Sequence, residues 1–239
     1  MNTGDLQPLY GWNTRNWKQI ERRVFKLQTR IYRAQRRGDS KTVRKLQRLL
    51  MKSWSAKLLA GRRVTQDNRG KATAGVDGGH SLPPAERFDL ADRLSRNSVA
   101  QPVRRVRIPK PGTEETRPLG IPPLQDRARQ TVVKLALDPQ GEARFEPNSY
   151  GFRPGRSPWD AIGAIHVLSN QKAKWVLDAD IAKCFERINH EALLKKLHPS
   201  PPLRRQIRAW LQAGILDKGE WFPTEEGTPQ GGPLTPLTQ

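Results

Sequence analysis

Two acids at alternate positions give this chain its first sign of chemistry. In WVLDADIAKCFERINH, residues 175–190, Asp178 and Asp180 end an apolar run, and a strand's period of two would set both carboxylates on one face. A carboxylate at a strand end is the ligand type a hard Mg²⁺ ion takes, above all beside a phosphate site. An isolated Asp-x-Asp is more often structural, with Asp180 capping a helix that begins near Lys183. Phe185 follows on the next turn, where an aromatic ring could press on the sugar of a bound nucleotide. A second motif, GTPQGGPLTP, comes only at 227–236.

Phosphate chemistry would need cations nearby. VRRVRIPK, residues 103–110, alternates Val106 and Ile108 with Arg105, Arg107 and Pro109, which reads as a short strand with one basic face. PGTEET is a turn and RPLGIP, 117–122, the returning strand. This hairpin holds Lys110 at its tip and Arg117 on its return arm, where they could converge on one phosphate; on spacing alone, two independent surface cations is the simpler reading.

The elements that position these groups are dominated by charge. The 239 residues carry 43 Lys and Arg against 23 Asp and Glu, a formal charge of +20, which points to a polyanionic partner, nucleic acid first. An acidic membrane surface is the rival, but no apolar run is long enough to span a bilayer and no lipidation signal is evident. MNTGDLQPLYGW lacks the layout of a signal peptide and there is a single Cys184, so a cytoplasmic, bacterial-type reducing compartment is expected. The first 60 residues hold 15 of the basic residues and 3 of the acids. There Trp17, Ile20, Val24, Leu27 and Ile31 recur at helical spacing after an Asn13 or Thr14 cap, and Gly38 closes the helix. Asp39 or Ser40 caps a second helix whose stripe is Val43, Leu46, Leu50, Trp54 and Leu58, stopped by Gly61. The pattern predicts an αα-hairpin with a dry seam and basic outer faces. With few acids to form i,i+4 pairs, those like charges repel unless a polyanion neutralises them.

NRGKATAGVDG, 68–78, is a basic, Gly-rich turn region. A helix opens at Pro83 and Pro84 and runs to about Arg96, burying Ala85, Phe88, Ala91 and Leu94 or Val99. A further helix spans 122–137, with Leu124, Ala128, Val132, Leu135 and Ala136 inside. FEPNSYGFRPGRSPWDAI, 145–162, mixes aromatics with Arg before a helix capped by Ser157; stacked bases and an ordinary anchored loop suit it equally. Helices at 190–197 and 202–213 follow, the second with Leu203, Ile207, Trp210 and Leu211 apolar, and Trp221 and Phe222 lead into the last motif.

Taken in order from Trp12 to Thr238, these blocks resemble the N-terminal part of a group II intron-encoded reverse transcriptase, or maturase. NRGKATAGVDG is similar to the family's extra N-terminal block, RRVRIPKPGTEETRPLGIP to its first fingers block and FEPNSYGFRPGRSPWDAI to its second. LDADIAKCFERINH resembles the block with the first catalytic Asp, and GTPQGGPLTP the block with the nucleotide-positioning Gln. The resemblance implies an α+β fold, reverse-transcriptase fingers and an incomplete palm of the right-hand polymerase type, preceded by a basic helical extension. Its implied divisions are 1–61, the RNA-binding helical hairpin; 62–171, fingers; and 172–239, partial palm.

It also implies roles. Asp180 would be the catalytic, metal-binding Asp, the backbone carbonyl of Ile181 a second ligand to Mg²⁺, and Asp178 a neighbour without metal. Phe185 would be the gate against a ribose 2′-hydroxyl, Gln230 would lie beside the sugar, and Lys110 and Arg117 would hold the dNTP triphosphate. RNA would meet Arg15, Lys18, Arg22, Arg23, Arg30, Arg44 and Arg48 on the hairpin, Arg69 and Lys71 in the Gly-rich loop, and Arg153 and Arg156. Partners would be group II intron RNA, an RNA template, a DNA primer and a dNTP. The family's Tyr-x-Asp-Asp turn, primer grip and thumb are expected to lie past Gln239, so Mg²⁺ binding by this stretch should be weak or absent unless a C-terminal chain completes the palm. The strand 174–180 would then present an edge or an exposed apolar face. Three readings follow: part of a reverse transcriptase without polymerase activity alone, a non-catalytic RNA-binding maturase module, or a decayed remnant.

Overall fold

The computed structural model describes residues 11–96, 99–170 and 173–234. Helix α1, Trp17–Arg36, starts one turn later than the Asn13 or Thr14 cap would have it. Asn16 is the cap, its side chain accepting from the Gln19 amide, while Trp12–Thr14 forms a separate 3-10 turn. That turn drives Trp12 into the core, 4.9 Å from the Trp17 ring and 5.2 Å from Phe88, with its indole N–H donating to Gln66. Ile20, Val24 and Ile31 are buried as their spacing predicts. Gly38 closes the turn at φ 74°, and Asp39 caps α2, Ser40–Lys52, by accepting from the Thr42 amide.

The expected second helix is two. At Ser53 the backbone turns extended (φ −65°, ψ 128°), and α3, Trp54–Arg62, leaves in a new direction. Trp54 is therefore exposed rather than part of the α2 stripe, whereas Ser55 to Gly61 are all buried. Gly61 does not stop the helix; a Cβ there would sit 3.4 Å from the Trp12 ring, so its smallness serves packing. A π-turn, Arg63–Asp67, and a 3-10 turn, Arg69–Ala72, lead on to α4, Pro84–Arg93. Leu90 and Ala91 are buried there and Phe88 and Leu94 pack partly buried, so Leu94 rather than Val99 completes the predicted face; only Ala85, which is exposed, departs from it.

Strands β1, Val103–Pro109, and β2, Thr116–Ile121, form the predicted antiparallel hairpin, with Ile108 opposite Arg117. Helix α5, Leu124–Glu142, is longer than expected and buried on nearly every side. Its Leu135 and Ala136 join the α1–α3 core, while Val133 and Leu137 join a second core with Leu193, Leu194, Leu203, Ile207 and Trp210. Gln28 and Gln47 donate to its Leu135 and Ala136 carbonyls from α1 and α2. The second core is built on α7, His190–Leu197, and α8, Pro201–Leu211. Short strands β3, Ile215–Asp217, and β4, Glu220–Phe222, then extend the sheet to the order β2-β1-β3-β4, with β3 parallel to β1.

Between α5 and α7 the chain behaves differently. Helix α6, Pro158–Ser169, starts with a full capping box between Ser157 and Asp160, yet none of its residues is buried. Residues 173–181 form neither strand nor helix, so the strand expected at 174–180 is absent. The sheet lies elsewhere, and a segment with no neighbour to exchange N–H and C=O groups makes no ladder. Its apolar side chains face solvent, Trp175 completely and Leu177 at 89%. Among the described residues no helix is long and apolar enough to cross a membrane.

Candidate functional site

Residues 227–230, the start of the last motif, are held down at both ends by backbone hydrogen bonds. The Gly227 amide donates to the Ile188 carbonyl at 2.8 Å, and the Thr228 amide to the Phe185 carbonyl at 2.6 Å. Farther on, the Gly120 amide of β2 donates to the Gln230 carbonyl at 2.6 Å. Two glycines make this possible. A Cβ at Gly227, where φ is 81°, would meet the Glu186 carbonyl at 2.6 Å, and one at Gly120 would meet Pro229 at 2.7 Å. The His190 ring, buried at the start of α7, adds a 2.7 Å hydrogen bond to the Gly227 carbonyl.

The loop thereby ties the turn after Asp180 to the β1–β2 hairpin. Between them opens a cavity of about 390 Å³ walled by Phe185, Gln230, Leu119, Thr228 and Arg105, within the range of small-ligand sites. Phe185 and Gln230 thus line one cavity. The Thr228 hydroxyl on this wall is buried and has no hydrogen-bond partner among the described residues. Thr228, Arg105 and His190 were not among the predicted site residues. Thr228 lies within the GTPQGGPLTP motif, whose glycines signal the close approach, and Arg105 on the basic face of its strand; nothing in the sequence singles out His190.

Lys110, Arg117, Asp180 and Ile181 do not line this cavity. Arg117 is exposed on the face of Ile108, and Lys110 continues the same alternation two residues on. Lys110 pairs with Glu115 at 2.6 Å, and that hydrogen bond and charge hold the Glu115 carboxyl below its ordinary range. On the other face Arg107 grips Asp217 through both carboxylate oxygens, at 3.1 and 2.6 Å, and Arg105 stands 3.9 Å away. The Arg107 hydrogen bond keeps the Asp217 carboxyl low.

Asp180 is exposed and does not cap the following 3-10 turn, Cys184–Glu186; its carboxylate accepts from the adjacent Ile181 amide at 2.9 Å. The Ile181 carbonyl already accepts from the Cys184 amide at 3.3 Å. Among the described residues no group of three His, Cys, Asp or Glu side chains could hold a metal ion. Mg²⁺ demands near-octahedral oxygen coordination. One exposed carboxylate with one engaged carbonyl does not fit that demand, and no catalytic step is assigned to a metal here.

The basic residues divide into free and engaged. Lys18, Arg22, Arg23, Arg30, Arg44 and Arg48 are exposed on α1 and α2, and none pairs with an acid among the described residues. Arg15 stacks 5.1 Å over Phe88, and Lys71 donates to the Gln66 carbonyl. The Arg69 side chain lies outside the description. Arg153, expected among the RNA ligands, is buried: it binds both Glu142 oxygens, at 3.0 and 2.6 Å, and the Glu146 and Ser149 carbonyls. These bonds commit it to holding the 145–157 loop rather than presenting a free guanidinium to phosphate. Arg156 lies 5.3 Å over Tyr150, while Phe152 is exposed at φ 55°. The Gly-rich loop is likewise structural in part. Asp77 accepts from the Leu124 amide at 2.9 Å, and a Cβ at Gly75 would strike Pro122 and Pro123 at 2.8 Å. The final residues of the last motif, Thr235 and Pro236, lie outside the described residues.

The model of the N-terminal domain of reverse transcriptase matches residues 12–94, and that of reverse transcriptase (RNA-dependent DNA polymerase) matches residues 108–239. Protein YkfC of Escherichia coli (strain K12) is 33% identical over 207 residues, which cover 81% of this chain and 54% of YkfC. The group II intron-encoded protein LtrA of Lactococcus lactis subsp. cremoris is 38% identical over 140 residues, 57% of this chain and 23% of LtrA. Maturase-like protein 1 of Euglena gracilis is 34% identical over 205 residues, 83% of this chain and 45% of its own length. The chain therefore spans about half the length of these relatives, or less.

Proposed function

The chain belongs to the reverse transcriptase family, and on that premise we propose that it is the nucleotide- and RNA-recognising part of a group II intron-encoded reverse transcriptase and maturase. The observation that carries the reading is the seating of residues 227–230, which makes Phe185 and Gln230 two walls of one cavity. An incoming deoxynucleotide sets its sugar between them, where the Phe185 ring leaves no room for a 2′-hydroxyl, and Thr228, whose hydroxyl has no partner among the described residues, lines the same wall. Lys110 and Arg117 take the triphosphate, for which Lys110 must exchange its Glu115 partner. Asp180 and the Ile181 carbonyl are one side only of a Mg²⁺ site; further carboxylates must come from polypeptide beyond the described residues, in this chain or another. Residues 1–61 act as the RNA-binding extension, 62–171 as fingers and 172–239 as part of the palm. Intron RNA, template and primer are the macromolecular partners.

A second reading is an RNA-binding module that assists splicing without polymerising, and the observation that favours it is the row of exposed cations on α1 and α2 with no ion-pair partner among the described residues. The nucleotide reading is tested by titrating the chain with a fluorescent deoxynucleotide, N-methylanthraniloyl-dATP, in the presence of Mg²⁺. Gln230→Ala should weaken binding about fivefold, roughly 1 kcal/mol for one hydrogen-bonding contact. Phe185→Val should let the ribonucleotide compete as well as the deoxynucleotide. Equal binding by the parent chain and both variants would refute this use of the cavity and leave the module reading.

A further inference from the structure

Away from the nucleotide cavity, two polar clefts meet where the N-terminal helices pack against the rest of the chain. One, of about 220 Å³, lies among α1, α2 and the end of α5 and is lined by Gln35, Arg44, Gln140, Arg144 and His198. The other, of about 510 Å³, lies along α7 and is lined by Arg44, Lys195, His198 and Arg204. They share Arg44 and His198, so the two clefts adjoin along one groove. His198 ends α7 in the left-handed conformation, φ 46°.

The charges in this groove are unbalanced. Arg44, Arg144 and Lys195 are exposed, and none has an ion-pair partner among the described residues. The one acid in the lining, Glu191, is claimed by Arg204 at 3.1 Å and Arg208 at 2.6 Å, and those hydrogen bonds hold its carboxyl below the ordinary range. Beside the cations stand amides. Gln140 accepts from Gln47 at 2.6 Å through its oxygen, which leaves its NH₂ group for a ligand, and the Gln35 amide has no partner among the described residues. Paired cations fit successive phosphates, while neutral amides next to them fit ribose hydroxyls, the group that distinguishes RNA from DNA.

We propose that this groove binds the sugar–phosphate backbone of RNA, with Arg44, Arg144 and Lys195 on phosphates and Gln35 and Gln140 on 2′-hydroxyls. The inference rests on the reading that the chain binds RNA, and it assigns that binding to a junction between the extension and the remainder rather than to the outer helix faces alone. RNA seated there would hold α2, α5 and α7 in one arrangement.

The test uses the full chain and a fluorescein-labelled RNA hairpin, with a DNA hairpin of the same sequence beside it, titrated across a range of salt. Replacing Arg144 and Lys195 together by Gln should weaken RNA binding at least tenfold and flatten the salt dependence by about 1.5 in the log–log slope, two phosphate contacts' worth. Gln35→Ala should narrow the preference for RNA over DNA. As a second readout independent of variant folding, bound RNA should protect Lys195 of the parent chain from acetylation. If the parent binds RNA and Arg22→Gln with Arg30→Gln weakens it while the Arg144 and Lys195 pair does not, the groove is overturned and the general reading stands. If the parent binds no RNA, both fall. Unchanged RNA preference in Gln35→Ala removes the ribose contacts from the proposal.

Discussion

The packed body of α1–α3 with α5 and the stretch from α6 to Ile181 are written in similar residues and end in opposite states. In the first, Ile31, Leu50, Leu58 and Leu135 are almost wholly removed from water. In the second, Trp159, Ile165, Val167, Trp175 and Leu177 stand exposed, from 65% upward. Helix α6 is as well capped as any other, so local chemistry does not separate the two. What separates them is the neighbour. An apolar face stabilises only when a second surface removes it from water, at roughly 25 cal/mol per Å². The α6–Ile181 face has no such surface among the described residues.

The largest expected effect tests the packed side. Leu135→Ala, in the middle of α5, should cost about 2–5 kcal/mol in a denaturant melt; a loss under about 1 kcal/mol would mean the body is looser than its burial implies. Next comes the edge of the same helix. Burial lifts the Asp138 carboxyl to about 6, against the pull of Lys134 and Arg63. The folded chain then holds this proton more tightly than the unfolded one, whose Asp titrates near ~4. Its contribution to stability is therefore greatest below ~4, falls as pH rises toward 6, and stays flat above. Asp138→Asn should remove that slope and raise stability at neutral pH by about 1–3 kcal/mol, as read from melts across the pH range. The smallest effect belongs to the exposed side. Trp175→Ala with Leu177→Ala should change stability by less than about 0.5 kcal/mol, and amides of 174–181 should exchange with solvent far faster than those of α5. Protection of those amides in the isolated chain would break the contrast.

Much of the packed body was legible. The stripes Ile20, Val24, Ile31 and Val43, Leu46, Leu50 follow helical spacing, and Asp39, Ser157 and Gly38 mark ends through local hydrogen bonds or a required positive φ. The β1–β2 hairpin was readable from alternation and its turn, and Phe185 and Gln230 from motif order. The break at Ser53 was not, because nothing at Ser53 forbids helix; α3 turns there to bury Ser55 to Gly61. Arg153 looked like a surface cation because a sequence does not show that Glu142 and two carbonyls converge on it. The α5 helix offered few cues to function, yet both main cores meet on it.

By itself the sequence determined what depends on near neighbours: helix periods, caps, glycine turns, the order of the family's blocks and an excess of positive charge. The tertiary structure decided what depends on residues far apart. It set the 227–230 loop against β2, brought Arg44, Arg144 and Lys195 to one groove, and left 174–180 without a partner strand among the described residues. Burial and strand pairing are relations between two surfaces, and a segment carries only one of them.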